Sequence, residues 1–465
     1  MTPRAFAVGD LLAPTVIAAG ALALAVILGL LAVMSPLLAI GATLGLAYTA
    51  VALTSLTAGV CVLTLLSFFE NLPGVQDSAV SPVKFAGAVL VIAWLLVIAS
   101  REGRDKLMLR DRPVVSYAAA LLVVWSLASR LWAQDEGATA GTGLRLALSV
   151  IVVFIVYTAV RDTRDMRWVI WAFIAGAFFS AIVGLATTSP EAATASAGEG
   201  RLSGGIADPN ELAAVLVPAL VLAAFSLAAV TGALARWALT VAVATFAICL
   251  FLTESRGGLV ALTVVLITGV FLAGRYRPQA IALGLVIAGI GVAYYTQFAT
   301  AESLQRVTGF FAGGGTGRTD LWSVALQMIG DHPLLGVGAG NFQTVEPTYA
   351  YGTLNLASIE FIIDTPKVAH NTALEILAET GIVGFAAFSA LIVGCLARVP
   401  PALRAFAQAD DVPSEALGRG LAIGIIGMLA ALMFISGQYE KQLWLLLGLA
   451  AALGSIARTD QVHAE

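Results

Sequence analysis

Long apolar runs follow one another along most of this 465-residue chain, and they constrain its fold more than any other feature. A helix needs about 20 mainly apolar residues to cross a bilayer, and in hydrocarbon its backbone satisfies every hydrogen bond internally. We therefore predict an all-α, polytopic membrane protein with about 12–14 transmembrane helices. The predicted spans are residues 11–33, 37–53, 55–69, 83–100, 113–132, 143–160, 167–187, 209–230, 236–253, 258–274, 279–297, 374–397, 418–437 and 441–457.

The run over residues 37–69 is the ambiguous part of this prediction. A single helix over that length would measure about 50 Å at 1.5 Å per residue, which is too long for one crossing. We divide it into two short helices, although the two could instead form one re-entrant pair. The range in the predicted number of spans reflects this choice.

Composition agrees with a membrane protein and excludes several other classes. The chain is 59% hydrophobic and 12% charged, whereas soluble domains contain about 25% charged residues. The net charge of −4 gives no reason to expect a nucleic-acid partner. The three cysteines, Cys61, Cys249 and Cys395, all lie within apolar runs. We therefore predict neither a disulfide nor a Cys/His metal site.

Arginine and lysine in the short loops predict the orientation, because cytoplasmic loops are enriched in them. Positive loops at 101–112, 161–167, 275–277 and 398–419 alternate with acidic or neutral loops. Placing the positive loops in the cytoplasm puts both termini inside and the long polar loop, 299–368, outside. We expect a multi-pass protein of the cytoplasmic (inner) membrane.

The long loop divides the chain into three parts. These are an N-terminal transmembrane bundle over 1–298, an extracytoplasmic loop with short helices over 299–369, and C-terminal transmembrane helices over 370–465. Loops of this length are usually functional or disordered. This loop contains enough aromatic and aliphatic residues to fold against the membrane domain, so we expect it to be functional.

Three arginines are predicted on the extracytoplasmic side, where arginine is uncommon: Arg201, Arg256 and Arg318. Guanidinium binds phosphate through paired, planar hydrogen bonds. Together they would suit a diphosphate whose lipid tail stays in the membrane. The alternative for any one of them is a snorkelling arginine, paired for example with Glu254 or a lipid phosphate.

His370 is the candidate for proton transfer. It stands at the predicted start of a helix, and an unperturbed pKa of about 6.5 suits a histidine to act near neutral pH. A helix N-terminus would lower that pKa and favour the neutral imidazole of a general base. A capping or interfacial histidine is the alternative. His332 precedes Pro333, which favours a structural role in a turn, and Glu375 is interpreted as helix surface or packing support.

Several motifs, taken in order, resemble those of the O-antigen ligase family, including the related Wzy-type O-antigen polymerases. The resemblance covers about residues 110 to 400, and the ordered set is more specific than any single motif. The matching segments are Arg201-Leu-Ser-Gly with Asp208-Pro-Asn210, Ser255-Arg-Gly-Gly258, Gly317-Arg-Thr-Asp-Leu-Trp322, His332-Pro-Leu-Leu-Gly-Val-Gly-Ala-Gly-Asn-Phe342, His370-Asn371 with Glu379-Thr-Gly381, and more weakly Ser129-Arg-Leu-Trp132.

The resemblance implies a membrane glycosyltransferase of the GT-C type. Such an enzyme transfers a glycan from a polyprenyl (undecaprenyl-type) diphosphate to a hydroxyl of a glycan or glycolipid acceptor. It inverts the anomeric carbon and needs no metal or cofactor. Here His370 would be the general base, and Arg201, Arg256 and Arg318 would hold the diphosphate. The motifs also contain our candidates for substrate binding: Asn371, His332, Asp320, Trp322 and Asn210.

Other functions remain open at the level of sequence. A polymerase would pass the growing chain to a second lipid-linked repeat unit, and a protein-targeting relative would pass it to serine or threonine. A transporter of small solutes or lipids is the rival from another class, and a scaffold in an export complex is a third. The predicted spans are nearly free of charge at their centres, whereas polar residues gather on one face, which favours an interfacial enzyme over a transporter.

Overall fold

The structure, a computed structural model, describes residues 28–70, 81–100, 107–187, 201–301, 317–353 and 366–464, together with six single positions, namely residues 22, 25, 26, 72, 303 and 304. Over these residues the regular structure is entirely helical, which confirms the all-α prediction. The helices are α1 Pro36–Thr54, α2 Leu56–Leu66, α3 Pro82–Ala99, α4 Met108–Asp111, α5 Pro113–Ala128, α6 Glu136–Ala159, α7 Thr163–Thr187, α8 Pro209–Ala229, α9 Ala233–Leu252, α10 Arg256–Leu272, α11 Arg277–Gln297, α12 Arg318–Asp331, α13 Phe342–Gly352, α14 Thr372–Leu396, α15 Val399–Gln408, α16 Val412–Ala431 and α17 Lys441–Ala464.

In the described part of the chain, ten helices are long and apolar enough to cross a membrane, which makes the chain a polytopic membrane protein. Three shorter apolar helices, α2, α10 and α17, accompany them. The predicted span 11–33 lies largely outside the described residues. The predicted division of 37–69 is present: Ser55 ends α1 and caps α2. The Tyr48 hydroxyl donates to the Gly59 carbonyl (3.4 Å), so the two helices fold back on each other.

Loops between the helices meet on two faces of the bundle. The site face carries the segments 67–70, 129–135, 201–208, 253–255, 317–353, 366–371 and 432–440, and the opposite face carries the segments 107–112, 160–162, 230–232, 273–276 and 397–411. Arg201 donates to the Thr253 carbonyl on the first face (2.9 Å), and Arg275 pairs with Asp410 on the second (2.9 Å). The three predicted arginines therefore share a face, and the described positive loops share the other.

α8 lies at the centre of the bundle, with most of its length buried against α9, α10 and α16. Pro218 interrupts its hydrogen-bond ladder in mid-helix, where Gly424 of α16 lets the proline approach closely. On the site face, α12 and α13 enclose a small separate core with α14, built around Leu321, Val324 and Phe342. The described part of the long loop is thus a folded cap on the membrane domain.

The motif that begins at His332 attaches this cap to the bundle. The Val337 and Gly338 amides donate to the Ala378 and Glu379 carbonyls of α14 (2.9 and 2.8 Å). Gly381 (φ +62°) kinks α14 at this point, and a side chain there would collide with the backbone at Leu334. The positive φ and the close approach together require glycine.

A buried asparagine closes the other side of the same attachment. Asn341 accepts from the Asp135 amide (2.6 Å) and donates to the Thr139 hydroxyl (2.9 Å), while Ser129 accepts from the Ala339 amide (2.9 Å). The weakly matching segment at Ser129 is therefore a contact surface for the stronger motif, and the glycine-rich sequence has a docking role.

Candidate active site

Four helices begin near one another on the site face: α8, α10, α12 and α14. Ser255 before α10 donates to Asn210 of α8 (3.0 Å), and the charges of Asp208 and Arg318 act on His370. The first turns of the four helices are capped by Asp208, Ser255, Gly317 and Asn371 respectively. A helix N-terminus presents unpaired amides and a partial positive charge, which favour an anion. The convergence of four such ends concentrates that effect at one place.

Arg256 and Arg318 occupy the first positions of α10 and α12. A cation is electrostatically unfavourable at this end of a helix unless an anion offsets it. The two guanidinium groups are also close enough to repel each other. Burial lowers the pKa of Arg318, the Asp208 carboxylate opposes that shift, and the charge of Arg256 adds to it. The pair therefore forms a cationic site suited to an anion with several oxygens.

An aromatic contact connects these arginines to the segment before His370. The first turn of α10 packs against Phe434, because a Cβ on Gly257 would stand 2.6 Å from the Phe434 Cβ. The Phe434 ring lies 6.3 Å from that of Trp322, whose indole donates to the Ala369 carbonyl (3.1 Å). Trp322 thus positions the backbone next to His370.

His370 is half-buried and has an unusual backbone conformation. Its φ is +48°, a left-handed value that is uncommon for a residue with a side chain and that often marks functional sites. Burial lowers the pKa of the imidazole, and the charges of Arg318 and Lys367 lower it further against an opposing effect of Asp208. At neutral pH the imidazole is therefore uncharged and able to accept a proton. The pKa of His370 is lowered, as expected. The main causes are burial and the charge of Arg318, whereas the helix N-terminus was the cause expected from the sequence.

Glu375 holds the backbone at His370 in place. Its carboxyl group accepts hydrogen bonds from the Ala369 amide (3.1 Å), the Gln438 side chain (2.6 Å) and the Ser436 hydroxyl. The Ser436 oxygen in turn accepts from the His370 amide (3.1 Å). Glu375 is buried, so of the two interpretations offered, helix surface is wrong and packing support is correct.

Arg201 and Asn210 belong to a second hydrogen-bonded cluster beside the arginine pair. Arg201 donates to the Thr253 carbonyl (2.9 Å) and to the Asn210 side-chain oxygen (3.0 Å). That same oxygen accepts from the Ser255 hydroxyl (3.0 Å). Arg201 therefore joins the loop before α8 to the turn between α9 and α10, immediately before Arg256.

The remaining candidates from the sequence, Asn371, Asp320 and His332, lie in different places. Asn371 caps α14 by accepting from the Leu374 amide (3.1 Å), and Asp320 is buried in the first turn of α12. His332 follows the last residue of α12 and is exposed. Fourteen residues of helix place it about 20 Å from Arg318. The structure therefore does not bring His332 together with the other candidates.

Some residues of the site carried no individual signal in the sequence. Asp208 was recognisable only as part of an Asp-Pro-Asn helix start. Ser436 and Gln438 lie more than 60 residues beyond His370, so only folding brings them to it. Among the described residues, no group of three or more His, Cys, Asp or Glu side chains is arranged to hold a metal ion.

Fold and site together define a polytopic membrane protein whose loops build a cationic, histidine-bearing site on one face. Residues 241–389 match the family model described as O-antigen ligase. This match confirms the resemblance read from the motifs: residues 241–389 form an O-antigen ligase domain, which together with the membrane helices supports a ligase- or polymerase-like membrane enzyme. The matched segment contains Arg256, Arg318 and His370. No curated protein matches the chain.

Proposed function

We propose that the protein transfers a glycan from a polyprenyl diphosphate carrier to an acceptor hydroxyl, with inversion and without a metal. The convergence of four helix N-termini, two of which begin with arginine, carries this proposal. Such an arrangement matches a diphosphate in charge and in hydrogen-bonding capacity. The lipid tail of the carrier would remain in the bilayer beside α10.

Arg318 and Arg256 bind the diphosphate in this mechanism. As the bond between C1 of the sugar and the phosphate oxygen breaks, its electron pair passes to the leaving oxygen. Donors directed at that developing charge typically contribute about 3–4 kcal/mol each. Arg201 acts differently, since its guanidinium group donates hydrogen bonds to the Thr253 carbonyl and the Asn210 side chain. It positions the turn that leads into Arg256.

His370 accepts the proton from the acceptor hydroxyl while the hydroxyl oxygen attacks C1. A positioned general base contributes about 10²–10⁴-fold. The lowered pKa keeps the imidazole neutral before the reaction. Donor binding offsets the charge of Arg318, which makes the same imidazole more basic when the substrate is in place. Through Arg318, donor binding would therefore raise the basicity of His370 and favour proton transfer.

The site face is proposed to be extracytoplasmic, in a cytoplasmic (inner) membrane. The arginine-rich loops of the opposite face, including Arg275 and Arg398, support this orientation. A ligase that uses a glycan or glycolipid acceptor is our first proposal. A polymerase that joins lipid-linked repeat units is the alternative, and it would use the same donor site and base.

The test uses purified protein in lipid nanodiscs with a polyprenyl-diphosphate glycan and EDTA. Release of free polyprenyl diphosphate is measured with a glycolipid acceptor, with a second lipid-linked repeat, and with neither. Wild type should release the carrier with one acceptor, which identifies the branch. His370→Ala should bind donor without releasing it, whereas the exposed His332→Ala serves as a matched control and should remain active. A wild-type rate in His370→Ala would show that His370 is not the general base. Movement of the donor across the membrane without cleavage would indicate a transporter.

A further inference from the structure

A cavity of about 400 Å³ lies between α8, α9, α10 and α11, away from the site described above. Its wall is almost wholly apolar and includes Leu220, Val243, Leu266 and Ile287. A volume of this size is typical of ligand-binding sites. All four helices are apolar, and α8, α9 and α11 are long enough to cross the membrane, so the molecules able to reach this cavity are those of the bilayer.

The exposed residues of the lining show where the cavity opens. Arg236 and Gln279 are exposed, and they stand in the first turns of α9 and α11. Both turns lie on the opposite face. Arg256 is the first residue of α10 and lies on the site face, beyond the other end of α9. α9 has 20 residues and is therefore about 30 Å long. The opening is thus separated from the diphosphate site by about the thickness of the hydrocarbon core.

The depth of the cavity corresponds to half a bilayer. From Arg236 to Val243 is seven residues of helix, about 10 Å, and from Gln279 to Ile287 is eight residues, about 12 Å. Half of the hydrocarbon core measures about 15 Å. A chain that entered between α9 and α11 would therefore run from the interface nearly to the midplane, as an acyl chain does.

Arg236, at the opening of the cavity, differs from two other arginines of this face in its ion pairs. Arg275 is paired with Asp410 (2.9 Å) and Glu415 (2.8 Å), and Arg419 is paired with Glu415 (2.8 Å). Within the described part of the chain, no acidic side chain forms an ion pair with Arg236. An exposed arginine above an apolar cavity at a membrane interface suits a lipid phosphate.

We propose that this cavity binds one acyl chain of an anionic phospholipid from the leaflet at the opposite face, with its phosphate at Arg236. The site is distinct from the diphosphate site in position and does not depend on the proposed reaction. Bound lipid would fill the space between α9 and α11 and support the helices that carry the outer turn at Arg256.

Two glycines provide a matched test. A Cβ built on Gly269, in the cavity wall, or on Gly289, on the lipid-exposed side of α11, meets nothing within 4 Å. Gly269→Leu should therefore fill the cavity, whereas Gly289→Leu adds the same side chain outside it. Arg236→Ala and Arg404→Ala form a second pair, because Arg404 is an exposed arginine of the same face in α15.

Binding of phosphatidylglycerol or phosphatidylcholine to detergent-purified protein is measured by native mass spectrometry, with thermal unfolding as a check on folding. We expect one tightly held phosphatidylglycerol in wild type, Gly289→Leu and Arg404→Ala, and at least tenfold weaker binding in Gly269→Leu. Arg236→Ala should lose about fivefold in affinity for phosphatidylglycerol and little in affinity for phosphatidylcholine.

Equal binding by the two glycine variants would overturn the proposal. So would displacement of the phospholipid by equimolar polyprenyl phosphate, which would assign the cavity to the carrier's tail. If Gly269→Leu fails to fold, the Arg236→Ala comparison decides, and unchanged phosphatidylglycerol binding there contradicts the proposal.

Discussion

Replacing Glu375 by alanine should separate the two halves of the proposed mechanism. The carboxyl group of Glu375 is the common acceptor for Ala369, Ser436 and Gln438, and through Ser436 it fixes the amide of His370. Arg256 and Arg318 begin other helices. Loss of Glu375 should therefore displace His370, the proposed base, while Arg256 and Arg318, the residues proposed to bind the diphosphate, stay in place.

The expected magnitude follows from the hydrogen bonds that are lost. Ala369 and Gln438 are both buried, so Glu375→Ala leaves two buried donors without their acceptor. Each costs about 1–3 kcal/mol, or about 2–6 kcal/mol together. The left-handed backbone at His370 costs about 1–3 kcal/mol to maintain. Removing the support should thus allow this backbone to relax, and a displacement of about 1 Å in a reacting group can lower a rate about 100-fold.

The assay measures kcat for carrier release and, separately, the Kd of the polyprenyl-diphosphate donor. Glu375→Ala should lose about 100-fold in kcat with a Kd within twofold of wild type, and Glu375→Gln, which keeps one oxygen acceptor, should lose less. Glu136→Ala is the control, because Glu136 is an exposed residue of the site face paired with Arg130, and such pairs contribute at most about 1 kcal/mol. An unchanged kcat in Glu375→Ala, or equal losses in kcat and donor affinity, would refute the reasoning.

Three further predictions follow from the same geometry. Arg318→Ala should weaken donor binding by about 10–100-fold, the value of a charged hydrogen bond or two, with Arg318→Lys intermediate; calorimetry showing unchanged affinity would give Arg318 a structural role. Because burial and Arg318 lower the pKa of His370, kcat/KM should be constant above the ordinary value of about 6.5 and fall only at lower pH. In Arg318→Gln that acid limb should move to higher pH, and an identical profile would contradict the coupling. Gly336→Ala should destabilise the protein by about 2–5 kcal/mol, because its φ is +69° and the new Cβ would collide with the Glu379 carbonyl. Gly330→Ala, in open space on α12, should leave the thermal unfolding temperature nearly unchanged.

Much of the fold was predictable because it depends on local properties of the sequence. Apolar runs of sufficient length specify spanning helices, and most described spans lie within about four residues of those predicted. Larger differences occur at α6, which begins seven residues before the predicted span 143–160, and at α16, which lies six residues before the predicted span 418–437. The division of residues 37–69 into two helices followed from length, whereas length left open how the two helices are arranged. In the site, Arg256 and Arg318 were selected because arginine is uncommon on the extracytoplasmic side, and His370 because its ordinary pKa suits proton transfer near neutral pH.

What the sequence could not provide is the set of contacts between distant segments. Glu375 reads as an ordinary residue of a first helical turn, and only the fold brings Ser436 and Gln438 to its carboxyl group. The motif at His332 was ambiguous for the same reason. Its glycines would serve equally well beside a substrate or in a packed contact, and the partner that decides between them, the kink at Gly381, lies some 45 residues later.

The two arginines at helix starts, Arg256 and Arg318, support the proposal that the site binds an anion. At these positions an acidic residue would stabilise α10 and α12 by about 0.3–1 kcal/mol each through the helix dipole, and arginine does the reverse. Their mutual repulsion adds to that cost. Local rules of stability are most often broken where function requires it. In the proposed mechanism a bound diphosphate would offset both costs, and this relief would add to the affinity for the donor. In the proposed mechanism the same charge helps to keep the His370 imidazole neutral before the donor binds, which would tie donor binding to proton transfer.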